Sequence, residues 1–178
     1  MKAVGLTRYL PITNEQSLQD IELAKLQASG RDLLVKINAV GVNPVDTKVR
    51  KPKDKIETSP KVLGWDACGI VEVIGDKVSQ FNVGDTVYYA GDITRQGCNA
   101  EYQLIDERIV GLAPQTLTHA QAAAMPLTTV TAWEALFERM KISQNKAENA
   151  NKSILILGGA GGVDRISPTI SPIIIADM

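Results

Sequence analysis

The residues with the most specific chemical pattern are the glycines of "GGAGGVD", residues 158–164, which directly follow the apolar stretch "SILIL". Counted from Gly159, the segment fits five of the six positions of G-x-G-x-x-G. Glycines at this spacing let a strand turn tightly into a helix, and they let the backbone approach a pyrophosphate at the helix N-terminus. The pattern predicts a dinucleotide phosphate turn, and an ordinary strand-to-helix turn is the alternative. The turn residues are Gly158, Gly159, Gly161, Gly162 and Val163.

The residues after Val163 depart from that pattern. Asp164 stands where the third glycine belongs, and its carboxylate is expected to repel phosphates. Pro168 and Pro172 are expected to break the helix that should follow the turn. The acidic residue that contacts the ribose, about twenty positions later in such folds, has no place in this chain. The sequence therefore predicts a dinucleotide site that is started and not completed.

The composition is that of an ordinary globular chain, with 178 residues, 44% hydrophobic and 22% charged, and a net charge of −1. This balance gives no electrostatic attraction to nucleic acid or to an anionic membrane, and no apolar run is long enough to span a bilayer. Cys68 and Cys98 lack the spacing of metal ligands, and the first residues lack the apolar core of a signal peptide. We therefore expect free thiols in a reducing cytoplasm.

Strand patterns dominate the first two-thirds of the chain. Several short apolar runs, separated by Gly and Asp, predict a mostly antiparallel barrel or sandwich. The strand candidates are "MKAVGLT", "DLLVKINAVGV", "CGIVEVIGDKV", "FNVGDTVYY" and "AEYQLIDERIVGLAP". Later in the chain, "SILILGG" is apolar on both faces and predicts a buried strand of the parallel type.

One predicted helix lies within the strand-rich region, and others follow it along the chain. Asn43-Pro44 is a favourable helix opening, and Asp46 suits the positive first turn. "LTHAQAAAMP" predicts a helix with Thr118 as its cap and Pro126 as its end. "LTTVTAWEALFERM" carries a large apolar stripe at helical spacing, which favours core packing over contact with a cofactor. The stripe consists of Val130, Trp133, Leu136, Phe137 and Met140.

Five blocks, in this order, resemble the medium-chain dehydrogenase/reductase superfamily: "GVNPVDTKVR", "VLGWDACGIVEVIG", "VGDTVYYAGDITRQGCNAEYQLIDERIVG", "AAAMPLTTVTAWEAL" and "ILILGGAGGV". The branch they resemble is the quinone oxidoreductase-like one that carries the description "zinc-type alcohol dehydrogenase-like". The resemblance runs from Met1 to Val163, and the tail "DRISPTISPIIIADM" is not similar to the family.

The resemblance implies a fold and a cofactor. It implies a mainly β GroES-like catalytic domain, a partly open barrel with short helices, over residues 1–124. A linker helix and the first strand of an incomplete α/β Rossmann domain follow over 125–178. The family places its active site between the two domains, uses NADPH as the usual hydride donor, and forms dimers or tetramers.

The resemblance also bears on zinc. Zinc-dependent members carry Cys where this chain has Asn43 and His where it has Trp65, and they have a four-cysteine structural lobe that is missing here. Catalytic zinc needs three protein ligands, so we predict no metal site. We expect His119, the single histidine, to lie at the surface or in a cap, and Cys68 to be a small core residue.

The candidate catalytic residues are Asn43, Asp46, Trp65 and Asp66, which the resemblance places at or beside the vacated ligand positions. Asn43 could contact the substrate oxygen or the nicotinamide, or only cap its helix. Asp46 could orient a polar neighbour or only offset the helix dipole, and Trp65 could line the cleft or belong to the core. In quinone-reductase members a Thr before the linker helix contacts the nicotinamide, and Thr129 matches it best. Asn43, Thr129 and the glycine turn form the candidate cofactor site.

The missing metal restricts the chemistry. Zinc acts as a Lewis acid that stabilises an alkoxide. Without it, the oxidation of a simple alcohol loses its main source of stabilisation. A quinone or activated enone spreads the incoming negative charge, and positioning with hydrogen bonds suffices for its reduction. The leading hypothesis is a zinc-independent, NADPH-dependent reductase of a small quinone or enone, here a truncated chain with little activity.

Two alternatives stay open. The first is a non-enzymatic GroES-like fragment that self-associates as a homo-oligomer, in which "PIIIADM" supplies a makeshift strand or "SILILGG" pairs with another copy. The second is a zinc-dependent alcohol dehydrogenase.

Overall fold

The computed structural model describes residues 1–158, 160–170 and 174–177, and it divides into two compact units, residues 1–126 and 127–178. Among these residues no helix is both long and apolar enough to cross a membrane. The strands of the first unit are β1 Lys2–Tyr9, β2 Gln19–Glu22, β3 Asp32–Gly41, β4 Lys53–Val62, β5 Asp66–Ile74, β6 Thr86–Ala90, β7 Tyr102–Asp106 and β8 Gly111–Leu112. Its helices are α1 Pro44–Arg50 and α2 His119–Ala123.

The main sheet of the first unit has five strands in the order β7-β3-β5-β6-β8, and all its neighbours are antiparallel. β6 and β7 bury alternate residues against the core, whereas β3 and β5 also contain runs of consecutive buried residues. The core residues under this sheet are Leu33, Val35, Ala67, Val71, Phe81, Val87, Tyr89, Cys98 and Ile105. The predicted antiparallel β domain is confirmed.

A second sheet, in the order β2-β1-β4, includes two strands that the sequence patterns do not predict. β4, "KDKIETSPKV", is polar and mostly exposed, and its pairing with β1 shifts register twice. It lies at the sheet edge, where charged residues and Pro60 are tolerated because one side of the strand needs no hydrogen-bond partner.

Both helices of the first unit begin where their capping residues predict. Asn43 is the N-cap of α1, with extended backbone angles (φ −124°, ψ 160°), and Pro44 is its first residue. The Thr118 hydroxyl accepts the Gln121 N–H at the start of α2. α2 packs closely on β3, because a Cβ added to Gly41 would lie 2.4 Å from the Ala123 carbonyl oxygen.

The second unit contains one strand–helix–strand motif. Its helices are α3 Pro126–Trp133, which begins at the last residue of the first unit and continues as a π-helical segment over Glu134–Arg139, and α4 Gly162–Ile170. β9 Ser153–Ile156 and β10 Ile174–Asp177 pair in parallel, so the "PIIIADM" segment does supply a strand.

One expectation about the tail is wrong. Pro168 does not break the helix after the glycine turn, because α4 continues through it to Ile170. Pro168 lies in the last turn, where a proline removes a single backbone donor and few helical residues follow. The Ser167 hydroxyl donates to the Val163 carbonyl oxygen over 3.0 Å in this helix. Pro172 lies outside the described residues.

The apolar stripe of α3 and its π-helical continuation is buried only in part. Leu136 is buried and packs with Ile142 of the same unit, whereas Val130, Trp133 and Met140 are 48%, 42% and 57% exposed. The prediction that the whole stripe is core is therefore wrong for this unit.

Candidate active site

Asn43 and Asp66 form the centre of the site in the first unit. The Asn43 side-chain amide donates to Asp66 Oδ2 over 2.8 Å, and its backbone N–H donates to Asp46 Oδ2 over 2.6 Å. Asp66 is the first residue of β5 and is 1% exposed. Asn43 therefore begins α1 and also joins the helix to the buried carboxylate of β5. A role as helix cap is thus compatible with a role as a site residue.

Trp65, next to Asp66, belongs to the apolar core. It is 5% exposed and packs with Leu6, Tyr9 and Leu63, and Val49 of α1 packs against this group. These side chains are called the Trp65 cluster below. Asn43, Asp46 and Val49 are spaced by three residues, so they share the helix face that meets segment 65–66.

Two buried polar atoms of this region have no hydrogen-bond partner among the described residues: Trp65 Nε1 and Asp46 Oδ1. A buried tryptophan N–H usually finds an acceptor, and a buried carboxylate oxygen usually finds a donor. The neighbouring Tyr9 hydroxyl is engaged elsewhere, because it donates to Glu57. Burial, with the hydrogen bond to Glu57, raises the pKa of Tyr9 to about 12. Lys53 Nζ lies 3.9 Å from the centre of the Tyr9 ring.

The donor set around Asn43 does not fit zinc. The Sγ atom of Cys98 lies 3.4 Å from the Asp66 carbonyl oxygen. Burial raises the pKa of the Cys98 thiol to about 12, and it also raises the pKa of Cys68. Both cysteines are free, and Cys68 is a core residue as expected. His119 is exposed, and its Nδ1 lies 3.1 Å from Asn38 Nδ2. Within the described ranges, no three His, Cys, Asp or Glu side chains are placed to hold a metal ion.

The glycine turn of the second unit has part of the tight backbone geometry that a phosphate turn needs. Gly158 has a φ of +80°, which favours glycine. A Cβ added to Gly162 would lie 3.1 Å from Thr128 Cγ2, so the turn packs tightly on α3. Val163 lies in the first turn of α4, and Gly159 lies outside the described residues. Thr129 Oγ1 is buried, with no partner in the part of the chain that the structure describes.

Asp164 opposes a phosphate in that turn. Its Oδ2 lies 2.7 Å from the position that a Gly161 Cβ would take, so the carboxylate is close to the backbone that would cradle an anion. The Gly161 N–H donates to the Gly158 carbonyl oxygen over 2.9 Å and is satisfied within the turn. The turn therefore fits a dinucleotide phosphate only in part.

The structure brings together Asn43, Asp46, Trp65 and Asp66 in the first unit, whereas Thr129 and the described turn residues lie in the second unit. Two neighbours were not predicted as site residues: Cys98 beside Asp66, and Tyr9 beside Trp65. Sequence patterns gave no signal for either, because each comes from a distant part of the chain: Tyr9 is the last residue of β1, and Cys98 lies in a loop where its backbone N–H donates to the Gly64 carbonyl oxygen.

The alcohol dehydrogenase GroES-like domain model matches residues 29–133. This chain belongs to that family, within the medium-chain dehydrogenase/reductases. The match includes Asn43, Asp46, Trp65 and Asp66 and ends before the glycine turn.

The chain is also similar to individual proteins with related descriptions. The zinc-type alcohol dehydrogenase-like protein of Staphylococcus epidermidis is 45% identical over 172 residues, which are 96% of this chain and 50% of that protein. A structure described as a zinc-dependent alcohol dehydrogenase protein of Rhizobium etli is 47% identical, with a TM-score of 0.87 over 99% of this chain and 52% of that one. A mycobacterial protein solved with NADPH is 27% identical, with a TM-score of 0.76 over 99% and 52% of the two chains. The chain spans about half the length of the curated relatives it matches.

Proposed function

We propose that this protein is a zinc-independent oxidoreductase that transfers hydride from NADPH to a small quinone or activated enone. The observation that carries the proposal is the hydrogen bond from the Asn43 amide to the buried Asp66 carboxylate. An amide that donates to a carboxylate neutralises none of its charge and offers no strong metal ligand, in contrast to the thiolates and imidazoles that hold catalytic zinc. The acceptor must therefore delocalise its own negative charge, as quinones and enones do.

NADPH, when bound, supplies the hydride. We assign the phosphates to the glycine turn, of which the structure describes Gly158, Gly161, Gly162 and Val163, and we keep Thr129 of the second unit and Asn43 of the first unit as separate candidate contacts of the nicotinamide. The NADPH complex of the mycobacterial neighbour supports this cofactor class. Asp164, close to the turn, opposes the phosphate charge, so we expect weak cofactor binding and little activity in this chain.

The test combines metal analysis with kinetics on the purified 178-residue chain. We expect no stoichiometric zinc and a slow, NADPH-dependent reduction of 2,3,5,6-tetramethyl-1,4-benzoquinone that a chelator does not change. Asn43→Leu, which removes the amide, should abolish the reaction, and the exposed Asn151→Leu is its matched control.

One result would overturn the proposal, and a second would contradict one part of it. Stoichiometric zinc, with alcohol oxidation that a chelator abolishes, would establish the zinc-dependent alternative. Micromolar NADPH binding to this chain would leave the reductase in place but contradict the argument that its cofactor site is impaired.

A second candidate function is favoured by exposed apolar residues of the second unit. Leu155 of β9 is 55% exposed and Leu157, just after it, is 72% exposed. A parallel strand normally lies in a sheet covered on both faces, so this surface favours self-association of a non-enzymatic fragment. Light scattering coupled to size exclusion tests it: a homo-oligomer that Leu155→Lys/Leu157→Lys converts to monomers supports association, and a monomeric wild-type chain excludes it.

A further inference from the structure

The Trp65 indole N–H is a buried hydrogen-bond donor that finds no acceptor in the part of the chain that the structure describes. Trp65 is 5% exposed, and its Nε1 has no partner among the described residues. Burying such a donor without an acceptor costs about 1–3 kcal/mol of folding free energy, so an unpaired N–H at a fixed position needs an explanation.

The immediate surroundings do not offer that acceptor. Leu6, Leu63 and Val49, in and against the Trp65 cluster, carry no polar side-chain atom, and the Tyr9 oxygen is occupied by Glu57. The Asp66 carboxylate next in sequence accepts from the Asn43 amide. The neighbouring polar groups are thus directed elsewhere, and Trp65 Nε1 is left for a molecule from outside the chain.

The position of the donor matters for the proposed reaction. Trp65 directly precedes the Asp66 that binds Asn43, and α1 contacts both the Asp66 carboxylate and the Trp65 cluster. Trp65 is therefore next in sequence to Asp66 and packs against the helix that begins after Asn43, so it belongs with the other three residues assigned to the acceptor site. An indole N–H is a neutral donor that does not release its proton near neutral pH, so it can hold an oxygen atom without competing for protons.

We infer that Trp65 is a catalytic residue whose Nε1–H donates a hydrogen bond to the carbonyl oxygen of the quinone or enone. The inference rests on the proposed function. Hydride addition to an enone or quinone moves an electron pair onto that oxygen, NADPH is oxidised to NADP⁺, and a proton from water completes the reduced product. The hydrogen bond strengthens as negative charge develops on the oxygen, which is the task that zinc performs in metal-dependent enzymes.

The unpaired donor should make the site bind carbonyl compounds in preference to apolar rings. A carbonyl oxygen can accept from Trp65, whereas an apolar ring of the same size leaves the N–H unpaired and should bind more weakly. The second unpaired atom, Asp46 Oδ1, is an acceptor, so it favours a neutral ligand over an anionic one.

The test observes the N–H directly by nuclear magnetic resonance of the ¹⁵N-labelled chain. The protein has two tryptophans, so two indole signals are expected, and Trp133→Phe assigns them. The probe is 2,3,5,6-tetramethyl-1,4-benzoquinone, whose fully methylated ring does not add thiols. We expect the Trp65 indole proton to move downfield saturably, with the Trp133 signal unchanged, and 1,2,4,5-tetramethylbenzene to produce no such shift.

Three outcomes are distinguishable. A saturable Trp65 shift supports the inference. Backbone signals that shift while the Trp65 indole signal stays fixed would show that the quinone binds without this hydrogen bond, which overturns the inference and leaves the proposed function standing. Absence of any shift would show that the chain binds no quinone, which contradicts the proposed function as well.

Affinity gives a second readout. By calorimetry, Trp65→Phe should weaken quinone binding roughly two- to tenfold, the value of one neutral hydrogen bond, while Trp133→Phe binds like the wild type. If Trp65→Phe fails to fold, benzothienylalanine incorporated into the Trp133→Phe chain replaces only the N–H by sulfur and should show the same loss. Unchanged affinity in either folded protein would overturn the inference.

Discussion

The Asn43 amide donates to Asp66 Oδ2 over 2.8 Å and thereby links the first turn of α1 to the start of β5. The two residues are separated by 22 intervening positions that include the whole of β4. Asp66 is 1% exposed, so its carboxylate depends on hydrogen bonds that replace water. This link holds the candidate catalytic residues of the first unit in one place.

Asn43→Asp should destabilise the protein, because it replaces a donor by a carboxylate beside Asp46 and Asp66. We expect a loss of about 1–3 kcal/mol in the free energy of unfolding at neutral pH, measured by urea denaturation. The loss should shrink in acid, where protonation removes the repulsion. Asn151→Asp, at an exposed position, is the control and should be near neutral. Equal effects of the two substitutions would contradict the role of the Asn43–Asp66 bond.

Glu107 should make the first unit sensitive to acid. The side chain is fully buried and accepts the N–H groups of Ser79 and Gln80, both at 2.9 Å, and the Arg31 guanidinium at 2.7 Å. The backbone hydrogen bonds from Ser79 and Gln80, with Arg31, lower the pKa of Glu107. A lowered pKa stabilises the fold above the unfolded value of about 4.3, and this contribution is lost as the pH falls through the folded pKa.

Glu107→Gln tests that contribution. The variant should have a lower urea midpoint than the wild type at pH 7, and the difference should narrow below pH 4.3 as the wild type loses its contribution. The exposed Glu22→Gln is the control and should follow the wild type. A constant difference at all pH values would show that the ionised carboxylate is not what stabilises this loop.

Lys141→Gly should stabilise the second unit. Lys141 is the one non-glycine residue with positive φ in the described part of the chain, at 55°, and it lies two residues after the end of the π-helical segment. A side chain in this conformation costs about 1 kcal/mol relative to glycine. We expect a rise in Tm by differential scanning calorimetry, and no such rise for Lys141→Ala, which keeps the Cβ. A similar gain in both variants would assign the effect to the lysine charge instead.

Asp164→Gly should strengthen NADPH binding. The change removes the carboxylate next to Gly161 and restores the third glycine of the turn. We expect the Kd, measured by NADPH fluorescence, to fall roughly five- to tenfold, the size of a partly screened repulsion. Asp164→Asn removes the charge and keeps the size of the side chain, so it separates the contribution of the negative charge from that of the side-chain volume. If neither variant binds more tightly, Asp164 is not what impairs the turn.

Much of the fold follows from local patterns. Asn43-Pro44 and Thr118 predict the starts of α1 and α2, because a cap satisfies backbone groups within a few residues of itself. The alternation in β3 predicts a strand, because a half-buried sheet imposes a period of two. By contrast, β4 has no such pattern, since it pairs with β1 at an exposed edge where polar residues cost little. Pro168 was expected to end α4, but its place in the last turn removes only one backbone donor.

The same division applies to the candidate site. The glycine turn could be singled out from its spacing in the sequence, and Asn43 and Trp65 from the family resemblance, which places them at the positions of zinc ligands. Tyr9 and Cys98 could not, because tertiary packing and loop hydrogen bonds bring them beside Trp65 and Asp66 from distant positions. Likewise, only the structure showed that Asn43 begins α1 and also donates to Asp66, and that the Trp65 N–H has no partner among the described residues.

The sequence by itself determined the family, the capped helices, the alternating strands and the missing zinc ligands, since each depends on residue identity or on neighbours within one turn. The tertiary structure decided which polar groups meet and which stay unpaired, since long-range packing places side chains from different strands and helices within a few ångströms of each other.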